Sequence, residues 1–152
     1  MTKLKVGTKA PAINSVDQNG EKITLAQFKG KKVILYFYPA DDTPTCTKEA
    51  CNYRDNFAML KKKGYVILGV SMDPPKKHQK FIKKYDLPFT LIADEDKKVI
   101  DAYDVWHLKK FMGREFMGIV RTTFLIDEKG FIEKIIEKVD SANATAQILT
   151  AE

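Results

Sequence analysis

The chain has 152 residues, 44% of them apolar and 30% charged, which excludes a disordered polymer and fits one globular domain with a real core. No apolar run approaches the ~20 residues of a bilayer span, and two cysteines are too few for a disulfide scaffold. The opening Met1-Thr2-Lys3-Leu4-Lys5-Val6-Gly7 lacks the apolar centre of a signal peptide. The expected address is therefore the cytoplasm, where a close cysteine pair is catalytic, redox-sensing or metal-binding. The net charge of +6 adds nucleic-acid binding as a class to be weighed.

Asp17-Gln18-Asn19-Gly20 separates two short apolar stretches, 13–16 and 22–25, and Asn-Gly predicts a hairpin turn because both residues tolerate positive φ. A helical turn is expected over 25–28. The run 33–38 is apolar without alternation, as in a strand buried on both faces, and Pro39 ends it. A helix is expected over 43–63, with Thr43 as N-cap, Pro44 at the first helical position and Gly64 as the stop. A second buried strand spans 65–71. Asp73-Pro74-Pro75 opens a helix carrying Phe81, Ile82 and Tyr85, and 89–93 reads as a short strand. A short helix fits 99–103. Residues 106–118 show no clean period and hold two glycines, so a loop is expected there. A hairpin over 119–126 and 130–137 and a helix over 143–151 close the chain. This order gives an α/β protein with a mixed central sheet and helices on both faces. A thioredoxin-like fold with an N-terminal β-hairpin extension matches it, although the pattern alone allows other α/β topologies.

The chemistry concentrates at the start of the 43–63 helix. Cys46, Ala50, Tyr53, Phe57 and Leu60 share one face at spacings of three and four, so Cys46 lies in the first turn and faces inward. Unpaired N–H groups and the positive end of the helix dipole favour a thiolate there. Cys51 lies five residues on, which is ~140° around an intact helix and ~7.5 Å along it. A disulfide needs Cα atoms within ~6.8 Å. A bridge therefore requires local unwinding. The expected cycle is oxidation of Cys46 to a sulfenic acid, unwinding, and a disulfide with Cys51 that an external reductant must open.

Pro39-x-x-x-Thr43-x-x-Cys46, followed by Glu49 and Cys51, resembles the active site of peroxiredoxins, and the cysteine spacing resembles the bacterioferritin comigratory protein / peroxiredoxin Q subfamily. The likeness extends to residues 7–12 and to Gly118-Ile119-Val120-Arg121-Thr122-Thr123-Phe124-Leu125-Ile126-Asp127. The resemblance implies a thiol-dependent peroxidase. It implies that Cys46 attacks the hydroperoxide, that the Thr43 hydroxyl and the Cys46 N–H bind its oxygens, and that Arg121 stabilises the thiolate and the leaving oxygen. It further implies that Pro39 shields Cys46, Glu49 orients Arg121 and Cys51 resolves the sulfenic acid. Thioredoxin or a similar dithiol protein would be the reductant of a monomeric enzyme, and no cofactor, nucleic acid or membrane is implied. Taken singly, Pro39 is a strand end, Thr43 a helix cap, Glu49 ordinary dipole complementation and Arg121 a solvated charge before a strand.

Other readings carry less. Cys46, Cys51, His78 and His107 supply four possible zinc ligands, but their spacing fits no recurrent pattern. His78 reads as part of a solvated helix face. A dithiol oxidoreductase normally needs two residues between its cysteines, and here there are four. The lysines come as scattered pairs without a recognition motif, which suits a solvated basic surface better than nucleic-acid binding. Phe111, Phe116, Trp106, Met112 and Met117 read as a satellite core under the 106–118 loop, ahead of the alternative that they line an approach for bulky hydroperoxides.

Overall fold

The unbroken apolar run becomes β3 (Lys32–Phe37), the middle strand of a five-stranded sheet. The computed structural model describes residues 1–150. Two parallel neighbours, β4 (Tyr65–Ser71) and β5 (Thr90–Ala93), lie on one side of β3; on the other, β8 (Thr122–Ile126) runs antiparallel to β3 and β9 (Ile132–Ile136) antiparallel to β8, in the order β5-β4-β3-β8-β9. Successive residues of a strand point to opposite faces. Val33, Leu35 and Phe37 therefore enter one core while Ile34, Tyr36 and Tyr38 enter the other. Both faces are covered, which is why the sequence shows no alternation here.

The Tyr36 face is covered by α1 (Pro44–Asp55), α2 (Phe57–Lys62), α3 (Pro75–Tyr85) and α5 (Ala144–Leu149) through Ala50, Tyr53, Leu60, Phe81, Ala144 and Ile148. The opposite face is covered by α4 (Lys98–Ala102) and by the N-terminal hairpin of β1 (Asn14–Val16) and β2 (Lys22–Thr24), through Val99, Ile100, Ile13 and Ile23. Each fully buried Leu or Phe contributes about 1.5–3 kcal/mol through the apolar surface it hides. The expected 25–28 turn is a 3-10 turn at Ala26–Phe28. The expected 143–151 helix is a 3-10 turn at Ser141–Asn143 followed by α5, and Ala151 lies outside the described residues.

Three expectations are corrected. The 43–63 helix breaks at Asn56, whose amide Nδ2 donates to the Asn52 carbonyl at 2.8 Å and competes with the helical ladder. The expected 106–118 loop is a hairpin, β6 (Trp106–Phe111) paired antiparallel with β7 (Arg114–Ile119). Its two-residue turn, Met112-Gly113, has positive φ at both positions, the geometry that tight hairpins need. Among the described residues no satellite core lies beneath it: Phe111, Met112, Phe116 and Met117 are all exposed, with Met112 at 88%. Trp106 alone turns inward against the core, with the Lys97 ammonium 4.1 Å from its ring centre.

Gly69 marks a close approach in the sheet. A Cβ there would stand 2.9 Å from the Tyr36 hydroxyl and 2.7 Å from Leu91 Cδ2, so only glycine lets the Tyr36 ring lie flat over β4. Among the described residues no helix is long and apolar enough to cross a membrane.

Candidate active site

Cys46 is the third residue of α1 and is 1% exposed. Thr43 precedes the helix in extended conformation, and the first ladder bond runs from Thr47 N–H to the Thr43 carbonyl at 2.8 Å. The Cys46 N–H therefore lies ahead of the ladder, among the groups a helix start leaves open to a ligand. Strand β8 brings the cation. Thr122 pairs with Phe37 at the end of β3, which sets Arg121 beside the chain leaving β3 for α1. Its Nη2 lies 3.2 Å from Cys46 Sγ and its Nη1 2.9 Å from Glu49 Oε1. One guanidinium thus joins the sulfur to a carboxylate one helical turn further on.

Glu49 is not a surface charge complementing a dipole. It is fully buried, burial pushes its carboxyl up to about 7, and Arg121 opposes that rise. Its second oxygen, Oε2, has no hydrogen-bond partner among the described residues. The Tyr36 and Tyr53 rings pack at a 45° tilt with centres 4.9 Å apart, and burial first, then the Glu49 charge, raises both phenols well above their ordinary range. Nor is Arg121 a solvated charge: burial works against its positive form, and the charges of Cys46 and Glu49 outweigh that and raise it. The guanidinium is held between two partners that both favour it charged.

Thr43 occupies the N-cap position, but its hydroxyl makes no capping bond. It donates instead to the Ala40 carbonyl at 3.3 Å, leaving its oxygen lone pairs turned to other use. Pro39 is half-buried in the bend after β3. Cys51 sits half-buried in intact helix, opening on a surface cleft shared with Asp42, Pro44, Thr47 and Tyr85. Both cysteines are free thiols. Cys46, Glu49 and Arg121 meet directly, Thr43 and Pro39 flank them in sequence, and Cys51 stands apart.

The zinc set is not assembled. His107 turns to the Asp104 carbonyl at 2.8 Å. His78, expected on a solvated face, is completely buried, with Nδ1 2.6 Å from Asp41 Oδ2 and Nε2 3.0 Å from the Ile92 carbonyl. Asp41, Asp73 and His78 do place three ligand-type atoms within 4.8 Å of one another, but all three are engaged with protein partners. The missed cue was spacing: His78, Phe81, Ile82 and Tyr85 form one helical stripe, disguised by Lys76, Lys77 and Lys80 around it. Lys109 was also missed. Its ammonium donates to the Ile119 carbonyl at 2.8 Å, and burial, then Arg121, lowers it while Cys46 pulls the other way.

The profile of the AhpC/TSA family matches residues 6–135. A putative peroxiredoxin bcp of Coxiella burnetii is 49% identical over 146 residues, 96% of this chain and 97% of that protein. The peroxiredoxin Bcp of Bacillus subtilis is 45% identical over 146 residues, covering 96% and 93%. Among solved structures, a bacterioferritin comigratory protein of Xanthomonas campestris, studied for alkyl peroxide reduction as trapped intermediate and ligand complexes, superposes with a TM-score of 0.87. It is 32% identical, with 95% of each chain covered.

Proposed function

Because the chain belongs to the AhpC/TSA family and is a peroxiredoxin of the Bcp/Q type, a thiol peroxidase with the thioredoxin-like fold, we propose that Cys46 is its peroxide-attacking thiolate. The observation that carries this is the guanidinium of Arg121, 3.2 Å from the sulfur and tethered at 2.9 Å to buried Glu49. It is fixed where negative charge sits before and during the reaction, so it need not reorganise.

In the first step Cys46 Sγ attacks the terminal oxygen of a hydroperoxide. The S–O bond forms as the O–O bond breaks, the electron pair leaves on the alkoxide or hydroxide, and that oxygen takes a proton from solvent. Cys46 is oxidised to sulfenic acid and the peroxide reduced to alcohol or water. Arg121 stabilises the departing oxygen, the Cys46 N–H donates to the substrate, and the Thr43 oxygen accepts its O–H. Pro39 keeps water from the sulfur. Glu49 fixes the guanidinium plane.

In the second step the first turn of α1 unwinds and the Cys51 sulfur attacks the sulfenic sulfur, forming a disulfide and releasing water. A thioredoxin-like dithiol then takes over the disulfide and restores both thiols. The separation of the cysteines on a continuous helix favours this cycle over a simple dithiol oxidoreductase, whose bridge forms without unfolding. Organic hydroperoxides join hydrogen peroxide as substrates, a reading supported by the alkyl peroxide chemistry studied on the Xanthomonas relative. The chain works as one domain over residues 1–152, as a monomer, in the cytoplasm.

The test is stoichiometric. Fully reduced protein, freed of reductant, receives one equivalent of hydrogen peroxide while thiols, peroxide and mass are followed. Rapid loss of the peroxide and of both thiols in a species of monomer mass is expected. Peroxide left intact over slowly reacting thiols would overturn the assignment.

A further inference from the structure

The segment joining β3 to α1 carries Pro39 and Thr43 and leads into the turn that holds Cys46, and it is fastened to α3 by a set of bonds that the peroxide chemistry does not use. Asp41 and His78 are the buried part. Tyr38 Oη donates to Asp41 Oδ1 at 2.6 Å, His78 Nδ1 meets Asp41 Oδ2 at 2.6 Å, and His78 Nε2 meets the Ile92 carbonyl at 3.0 Å. A carbonyl can only accept, so Nε2 carries hydrogen, and one further proton is held between Nδ1 and Oδ2. Wherever that proton rests, the pair as a unit has no net charge. It therefore adds little to the field at Cys46, and what it supplies is fixation.

The same segment is held twice more. The Asp41 N–H donates to Asp73 Oδ2 at 2.7 Å, and Asp73 is itself bound by the Ser71 hydroxyl and the Lys77 ammonium. Asp42 has φ +59, a conformation costly for a residue other than glycine. It is kept there by Tyr85 Oη at 2.6 Å and Lys84 Nζ at 2.8 Å. Pro44, Thr45 and Lys48, just beyond, are exposed. The bonds to α3 and its flanks thus stop at the start of α1.

We propose that Asp41 and His78, backed on the surface by Asp42 with Tyr85 and Lys84, are positioning residues that clamp the β3–α1 segment to α3 and set how readily the first turn of α1 unwinds. This rests on the Cys46–Cys51 cycle given above. The sulfenic acid has two fates. It condenses with Cys51 after unwinding and releases water, or it meets a second hydroperoxide while still folded. In the second case the peroxide O–O bond breaks, one oxygen passes to sulfur as sulfinic acid and the other leaves as alcohol or water. A tighter clamp slows the first fate and so enlarges the second.

The test replaces both buried partners by apolar residues, Asp41→Ala with His78→Leu, so that no charge is left buried without its partner. Reduced protein is pulsed with graded hydrogen peroxide, and the ratio of disulfide to sulfinic acid is read by intact mass. The clamp predicts that the peroxide concentration giving equal amounts of the two rises about tenfold over wild type, the worth of a charge-assisted bond that must give way when the segment ahead of α1 moves with the unwinding turn. An unchanged ratio overturns the proposal whatever the melting temperature does, because a merely structural pair would alter stability and leave the partition alone. A shift in the opposite direction overturns it as well. The surface pair Asp42→Asn with Tyr85→Phe, at sites where folding is not at stake, should move the ratio the same way by roughly threefold. It decides the matter if the buried variant does not fold. Wild-type protein that forms no disulfide with peroxide would instead sink the Cys46–Cys51 cycle, and that result is read without any variant.

Discussion

Cys46 and Cys51 share one helix and differ in almost every physical respect. Cys46 lies in the first turn, 1% exposed, with a guanidinium 3.2 Å from its sulfur and a buried carboxylate behind that. Cys51 lies past the opened N–H groups, half-buried, beside a surface cleft. The contrast lies in place and not in residue type: one thiol is supplied with charge, the other with access. In the proposed cycle the second thiol needs only to be reached once the helix opens.

The widest separation of the two comes from removing each in turn. Cys46→Ser should abolish turnover with every hydroperoxide, measured as peroxide loss in the presence of a dithiol reductant. Cys51→Ser should still consume about one equivalent of peroxide, because the first step does not use Cys51. It should then stop under a thioredoxin-like reductant; sustained recycling would mean that another thiol reaches Cys46. Arg121→Met keeps much of the volume and deletes the charge. It should slow the first step by about 10²–10³-fold, the usual cost of losing a pre-organised stabiliser of developing charge. Stopped-flow measurement of the first turnover checks this, and a loss below tenfold would move the electrostatic burden to the helix start.

The smallest effect is on stability and pH. Glu49 has a folded value of about 7 against an ordinary 4.5, so the folded protein binds the extra proton. Its contribution to stability is complete below pH 4.5 and is lost as pH rises through 7, up to about 3 kcal/mol. Urea unfolding of wild type should therefore show stability falling across that window. Glu49→Gln should flatten the slope, and an equal slope in the variant would mean that another group titrates there.

Legibility in the sequence tracks how completely an element's environment is written in its own residues. β3 was readable because both of its faces are buried and its apolar run says so, and α1 because Pro44 and the stripe of Cys46, Ala50 and Tyr53 announce a start and an inward face. The β6–β7 hairpin was not, because Leu108, Phe111, Phe116 and Met117 are exposed and no alternation between a wet and a dry face could form. Neither could local residue logic join Glu49 to Arg121, 72 positions apart; that pairing came only through the resemblance to peroxiredoxins. His78 was misread for the opposite reason: three lysines nearby spoke louder than its place on the apolar stripe. The break at Asn56 left no mark other than one amide side chain able to bond back to its own helix.

The missing side chain at Gly69 acts as a spacer gauge for the Cys46 sulfur. The Tyr36 ring rests where a Cβ would stand, and Tyr53 of α1 packs on that ring. Tyr53 is two turns from Cys46 on the same helical face. The height of the helix above the sheet thus depends on two phenol rings packed at a 45° tilt over the bare backbone of Gly69. One methyl group added at position 69 would lift the stack, and a rigid helix would carry that displacement to the Cys46–Arg121 gap, where a few tenths of an ångström separate contact from a wasted charge.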